Sequence, residues 1–250
     1  MIGIFVVAGT LIGLTVGSFS NVVVYRTPRH LSVVRPGSFC PTCRTEIESR
    51  DNVPVFAWLW LRGKCRHCGT PISARYPIVE AGVAVLFIVL AATIRPLWGV
   101  PGWWLLTLSI AWVAIIELDY QSSPVGVPLI ETVIGIAAMA IGAFSVGRVG
   151  PLDDSLAGFG TATALALLLT ALIQVRPNIG LTAGAIWCLP AWGACLGWLG
   201  LVPALTGLAV GLVCTAATTR SHISRFAHIP IATCAAAGLI AAVLTASLRA

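Results

Sequence analysis

Charged residues are scarce in this sequence, and acidic residues are the scarcest of them. The 250 residues include nine Asp and Glu against fifteen Lys and Arg, so that 10% of the chain is charged and the formal net charge is +6. No acidic residue follows Asp154. Soluble domains carry roughly a quarter charged residues, so this composition excludes an ordinary soluble protein. The hydrophobic fraction of 58% and the mean hydropathy of +0.94 predict a polytopic membrane protein.

Several catalytic and binding patterns are also absent. The chain contains no Gly-x-Ser-x-Gly, no His-Glu-x-x-His and no glycine fingerprint for dinucleotides. These absences argue against a serine hydrolase elbow, a helical zinc protease site and a nucleotide-binding turn. The net positive charge comes without a basic helix or an aromatic-interleaved basic surface, so no nucleic-acid partner is predicted.

Apolar runs of membrane-spanning length are present instead. A helix of about 20 apolar residues crosses a hydrocarbon core of about 30 Å. The first run lacks a basic leading segment and a clean cleavage site, so we expect a retained helix rather than a signal peptide. The predicted fold class is an all-α polytopic membrane protein with about eight transmembrane helices. The runs are at about residues 2–24, 78–94, 101–117, 125–146, 156–174, 183–200, 202–218 and 227–247.

The distribution of Lys and Arg predicts the orientation of these helices, because basic loops stay in the cytoplasm. Threading eight helices from an outside N-terminus places twelve of the fifteen basic residues inside: nine lie between Arg26 and Arg75, and the others are Arg176, Arg220 and Arg225. The net charge is therefore mainly a topology signal. Membrane lipid, including anionic head groups, is a predicted partner.

One long polar insertion interrupts the apolar sequence. We divide the chain into a first transmembrane helix at 1–25, a cytoplasmic domain at 26–77 and a membrane helical bundle at 78–250. The insertion contains Cys40-x-x-Cys43 and Cys65-x-x-Cys68, with 21 residues between the pairs. Two such pairs satisfy tetrahedral zinc coordination, and the metal substitutes for a core too small to fold alone.

Disulfides are not expected in this insertion, because the cytoplasm keeps thiols reduced. Redox-active or unliganded thiols are the alternatives to a zinc site. His67, between the last two cysteines, is expected to be a solvated neighbour rather than a ligand. A structural zinc site with four protein ligands has no open coordination position, so the predicted site carries no catalysis.

The flanks of the insertion resemble a known family. The segments "GSFSNVVVYRTPR" (17–29), "RPGSFCPTC" and "DNVPVFAWLWLRGKCRHCGTPISARYPIVE" (51–80) are similar to the N-terminal half of type IV prepilin leader peptidases. The resemblance is close over about 80 residues and loose over the rest of the chain. It implies a multi-pass protein of the bacterial inner membrane that cleaves and N-methylates type IV pilin or pseudopilin precursors, in pilus assembly or protein secretion. S-adenosylmethionine is implied as a cofactor only if the methyltransferase activity is retained.

The family resemblance also implies an intramembrane aspartyl protease with two catalytic aspartates near the cytoplasmic face. Two such carboxylates share one proton and activate a water molecule. The first aspartate would lie seven residues before Pro124, where this chain has Glu117, and Asp119 occupies the accompanying acidic position. Counting back from "WGACLGW" puts "TAGA" at the family's Gly-x-Gly-Asp motif, with Ala185 in the place of the aspartate.

The remaining carboxylates leave several interpretations open. Glu117 and Asp119 are weak catalytic candidates, or ordinary acids at the membrane surface. Glu131 could pair with an inward-facing polar group or be protonated. A surrogate dyad of Glu117 with Glu131, or of Glu117 with Asp119, is a further hypothesis. For the whole chain we consider a prepilin peptidase that has lost its protease site, a methyltransferase-only or non-catalytic pilin-binding protein, and a small transporter-like or lipid-handling bundle.

Overall fold

The computed structural model describes residues 1–95, 97–120, 126–147 and 150–175, together with residues 186, 189, 190 and 193. This part of the chain is helical, and its only extended pairs are two isolated bridges. Its α-helices are α1 (Ile2–Arg26), α2 (Phe56–Trp60), α3 (Arg75–Thr93), α4 (Val100–Tyr120), α5 (Gly126–Val146) and α6 (Gly150–Val175).

The five long helices coincide with the first five apolar runs of the sequence. Within the described residues, three helical segments are long and apolar enough to cross a membrane, judged by length and composition. They are Ile2–Arg29, Arg75–Thr93 and Leu97–Ile116, and shorter apolar stretches cover Thr132–Ser145 and Leu156–Ala171. The prediction of a helical membrane protein is confirmed for this part. The last three predicted runs fall mainly outside the described residues, so the number of eight stays a prediction.

The chain divides into two compact units, Met1–Ala92 and Thr93–Ala250. In the first unit, α1 and α3 approach each other along a ridge of glycines spaced four residues apart. A Cβ atom at Gly13 would lie 2.6 Å from the Cα of Ala84, and one at Gly17 would lie 2.7 Å from the Cα of Glu80. Only glycine fits such a separation, and small residues of this kind let helices pack closely in lipid.

The insertion between α1 and α3 consists mostly of turns, with α2 as its α-helix. Trp58 on α2 donates its Nε1–H to the carbonyl of Ile72 at 3.0 Å. Its ring lies against Gly63, where a Cβ atom would be 2.9 Å from the indole and where φ is +65°. Gly63 therefore has to be glycine both for its backbone conformation and for the close approach of the ring.

In the second unit, α4 and α5 pack against each other in an antiparallel register that small residues define. Gly135 on α5 lies against Leu106 of α4, and Gly102 on α4 lies against Met139 of α5. The buried side chains of α4 include Trp103, Trp104 and Trp112.

Candidate metal centre and catalytic region

The first cysteine pair lies in a tight knuckle. The amide of Cys40 donates to the carbonyl of Thr45 at 2.9 Å, and the amide of Arg44 donates back to the carbonyl of Cys40 at 2.9 Å. An isolated bridge between Phe39 and Glu46 closes the turn. Arg44 adopts φ +62°, a left-handed conformation that is uncommon for residues other than glycine.

The second cysteine pair repeats this geometry. The amide of Cys65 donates to the carbonyl of Thr70 at 2.9 Å, and the amide of Gly69 donates to the carbonyl of Cys65 at 3.0 Å. The bridge here joins Lys64 and Pro71, and Gly69 supplies the left-handed residue with φ +69°. The insertion thus presents two equivalent knuckles, each with two sulfur atoms.

The four sulfur atoms form one cluster. All four Sγ atoms lie within 4.8 Å of one another, with 3.8 Å between Cys40 and Cys68 and 4.0 Å between Cys43 and Cys65. A tetrahedral zinc ion with Zn–S bonds of about 2.3 Å holds its sulfur ligands about 3.8 Å apart, whereas a disulfide holds them at about 2.05 Å. The cysteines are free thiols in an arrangement that fits one metal ion.

Hydrogen bonds favour the thiolate form that a metal requires at two of these cysteines. The hydroxyl and then the amide of Thr45 lower the pKa of Cys43 to about 6. The amides of Cys68 and His67 lower the pKa of Cys65. The pKa of Cys68 is raised to about 11: a backbone amide lowers it, but burial and the neighbouring thiols outweigh that effect. A bound metal ion would favour the thiolate form of all four cysteines and release their protons.

A bidentate ion pair braces the second knuckle. Arg66 donates from Nε and a terminal nitrogen to the two carboxylate oxygens of Asp51, at 2.6 Å each. The hydrogen bond from Arg66 lowers the pKa of Asp51, with its charge as a further cause. Paired forks of this kind fix orientation as well as distance. The neighbouring His67 is exposed and is not part of the sulfur cluster, as a solvated neighbour would be.

A buried carboxylate joins the insertion to the membrane helix α3. Glu80 is 8% exposed, and its Oε2 accepts a hydrogen bond from the amide of Val55 at 2.6 Å. Val55 has φ +63°, which is an outlier for a β-branched residue. A separate hydrogen bond joins the two long helices, because Asn21 on α1 donates to the carbonyl of Tyr76 on α3 at 3.3 Å. The sequence motifs did not predict that Glu80 holds the insertion against α3. The available signal was an acidic residue near the start of an apolar, membrane-spanning run.

The catalytic candidates lie in the second unit. Glu117 and Asp119 occupy the last turn of α4, and the side chain of Asp119 is exposed. Ala185 and the side chains of Glu117 and Glu131 fall outside the described part of the chain. In the α4–α5 register, Glu131 is level with Ile110, seven residues before Glu117. With a rise of 1.5 Å per residue, the two glutamate backbones are about 10 Å apart along the helix axes.

The described residues define a helical membrane protein with a cluster of four cysteines, positioned to hold a metal ion, between its first two candidate spanning helices. The family model described as "Bacterial Peptidase A24 N-terminal domain" matches residues 11–94. The chain belongs to the prepilin leader peptidase/N-methyltransferase family, which confirms the resemblance of the sequence motifs.

Three relatives with that name illustrate the similarity. The Aeromonas hydrophila protein is 33% identical over 215 residues, covering 76% of this chain and 73% of the relative. The Myxococcus xanthus protein is 36% identical over 231 residues, covering 87% and 65%. The Neisseria gonorrhoeae protein is 30% identical over 243 residues, covering 84% and 82%. No solved structure matches the chain.

Proposed function

We propose that this chain engages type IV pilin or pseudopilin precursors at the cytoplasmic face of the bacterial inner membrane without cleaving their leaders. Its relatives are named prepilin leader peptidases and N-methyltransferases. The observation that carries the proposal is the absence of any acidic residue after Asp154. No side chain in residues 155–250 can therefore supply the second carboxylate of an aspartyl protease.

The acids of α4 and α5 are poor substitutes for the missing aspartate. A catalytic dyad needs two carboxylates close enough to share a proton. Glu131 is offset by about 10 Å along the helix axis from Glu117. Asp119 is two residues from Glu117, and residues two apart do not face each other on a helix. These positions favour a chain in which Glu117 has no second carboxylate with which to share a proton.

The insertion is proposed to hold a structural zinc ion. Zinc would be bound by the four thiolates of Cys40, Cys43, Cys65 and Cys68. It would stabilise the folded insertion, and no coordination position would remain open for catalysis. The sulfur spacing supports this metal, and the nine basic residues between Arg26 and Arg75 support a cytoplasmic insertion. The site would thus act as a rigid platform beside the membrane rather than as a centre of chemistry.

Two forms of the proposal can be separated by experiment. The full chain is purified in detergent with a leader-bearing pilin precursor, and co-purification is measured. Transfer of a radiolabelled methyl group from S-adenosylmethionine to an already processed pilin is measured in parallel. Binding with methyl transfer indicates a methyltransferase-only protein, and binding alone indicates a non-catalytic pilin-binding protein. If the chain shows no binding and no methyl transfer, the proposal is contradicted.

A further inference from the structure

The short helix α2 turns an apolar face outward. Phe56, Leu59 and Trp60 are spaced as i, i+3 and i+4, which places them on one side of a helix. Their exposed fractions are 63%, 58% and 83%. The other side of α2 faces the insertion, where Ala57 is buried and Trp58 makes its hydrogen bond to Ile72. The helix therefore packs one side against the insertion and leaves its three large apolar side chains exposed on the other.

The hydrogen bond between Val55 and Glu80 fixes where this face lies along the candidate spanning helix α3. Val55 immediately precedes α2, and its amide lies 2.6 Å from the Glu80 carboxylate. Glu80 is five residues into α3, which begins at Arg75. At a rise of 1.5 Å per residue, that position is about 7 to 8 Å along the candidate spanning helix. The start of α2 is thus level with the first turns of α3, beside one end of the candidate spanning helix.

The chemistry of the surroundings matches a lipid surface. Ile78 on the same end of α3 is 67% exposed, so the candidate spanning helix also presents apolar surface near the level of α2. Tryptophan is enriched at membrane interfaces, where its ring spans apolar and polar zones. Arg62 and Lys64 follow α2 and are exposed, as residues that attract anionic head groups would be.

We propose that the Phe56, Leu59 and Trp60 face of α2 inserts into the head-group layer of the bilayer and anchors the metal-binding insertion flat against it. The anchor would hold the four-cysteine cluster close to the membrane surface. The occupant of this face is lipid, and neither a second copy of the chain nor a pilin segment is needed to cover it.

Photo-crosslinking of the full chain tests this placement. Benzoylphenylalanine is introduced at Trp60 in protein reconstituted into nanodiscs of phosphatidylethanolamine and phosphatidylglycerol, and lipid adducts are counted by intact mass. Arg50 is the matched control, because it is exposed but belongs to the 3-10 helix Ser49–Asp51 rather than to α2. Metal content reports folding of each variant. If the position 60 variant does not fold, Leu59 on the same face replaces it.

The expected result is a several-fold greater yield of lipid adduct at position 60 or 59 than at position 50. Equal yields at the two sites would overturn the proposal. Crosslinking at position 60 that goes mainly to a second copy of the chain, or to an added pilin precursor, would overturn it as well.

Discussion

The carboxylate of Glu80 accepts a hydrogen bond from the amide nitrogen of Val55 at 2.6 Å and so joins the candidate spanning helix α3 to the insertion that carries the four cysteines. Glu80 is buried, and Val55 is held with φ +63°. A β-branched residue adopts that conformation only when its surroundings fix it. The hydrogen bond therefore helps to determine where α2 begins and where it lies along α3.

Removing this acceptor should loosen the insertion. Glu80→Ala leaves the Val55 amide without its partner, and a buried unpaired group costs about 1 to 3 kcal/mol. Glu80→Gln keeps an acceptor oxygen and should cost less. Hydrogen exchange at residues 53–60 measures the effect, with faster exchange expected in Glu80→Ala than in Glu80→Gln. Equal exchange in both variants and the wild type would show that the hydrogen bond has no structural role.

The glycine ridge between α1 and α3 should not tolerate a methyl group. Gly13→Ala places a Cβ 2.6 Å from the backbone of Ala84, so the helices must separate. Overpacking of this kind costs about 1 to 3 kcal/mol. Gly82→Ala is the matched control on α3, because nothing lies within 4 Å of its added Cβ. Thermal unfolding in detergent should show a lower midpoint for Gly13→Ala alone, and equal midpoints for both variants would refute the close packing.

The metal should depend on all four cysteines. Cys65→Ser removes one thiolate and leaves an incomplete tetrahedral site, so the purified variant should lose most of its zinc. His67→Ala changes a side chain within the same knuckle and should retain it. Atomic absorption on the purified proteins measures the content. Full zinc in Cys65→Ser, or a loss as large in His67→Ala, would contradict the four-cysteine assignment.

The Asp51–Arg66 pair should stabilise the insertion at neutral pH and not in strong acid. The pKa of Asp51 is lower in the folded protein than its ordinary value of 3.8. The ionised carboxylate therefore stabilises the fold above pH 3.8, and this stabilisation is lost as the pH falls through the lower pKa of the folded state. Asp51→Asn should therefore increase hydrogen exchange of the insertion at pH 7. The difference from wild type should disappear on acidification.

A matched control exists for this pair. Glu48→Gln breaks the ion pair with Arg50, whose side chains are 48% and 67% exposed, and exposed pairs contribute little. It should exchange like the wild type at every pH. An effect of Asp51→Asn that persists unchanged in acid would argue against an electrostatic origin.

The features predicted from sequence are those that local patterns determine. Long apolar runs specified α1, α3 and α4, and the two Cys-x-x-Cys turns specified the cluster because each turn carries its own geometry. The contacts of Glu80 with Val55 and of Asp51 with Arg66 were not predicted. They join residues 25 and 15 positions apart through the folded insertion, and no periodicity reports such pairs. The α4–α5 register likewise depends on how particular glycines meet particular side chains.

Leader cleavage is the most direct test of the central claim that this family member has lost its peptidase dyad. Purified, zinc-loaded protein is incubated with a pilin precursor that bears its leader, and the shortened product is sought by mass spectrometry. A relative that retains both aspartates serves as the positive control. We predict that the precursor stays intact. Efficient cleavage that Glu117→Ala abolishes would contradict the account, because it would show a working acid site without an aspartate at position 185.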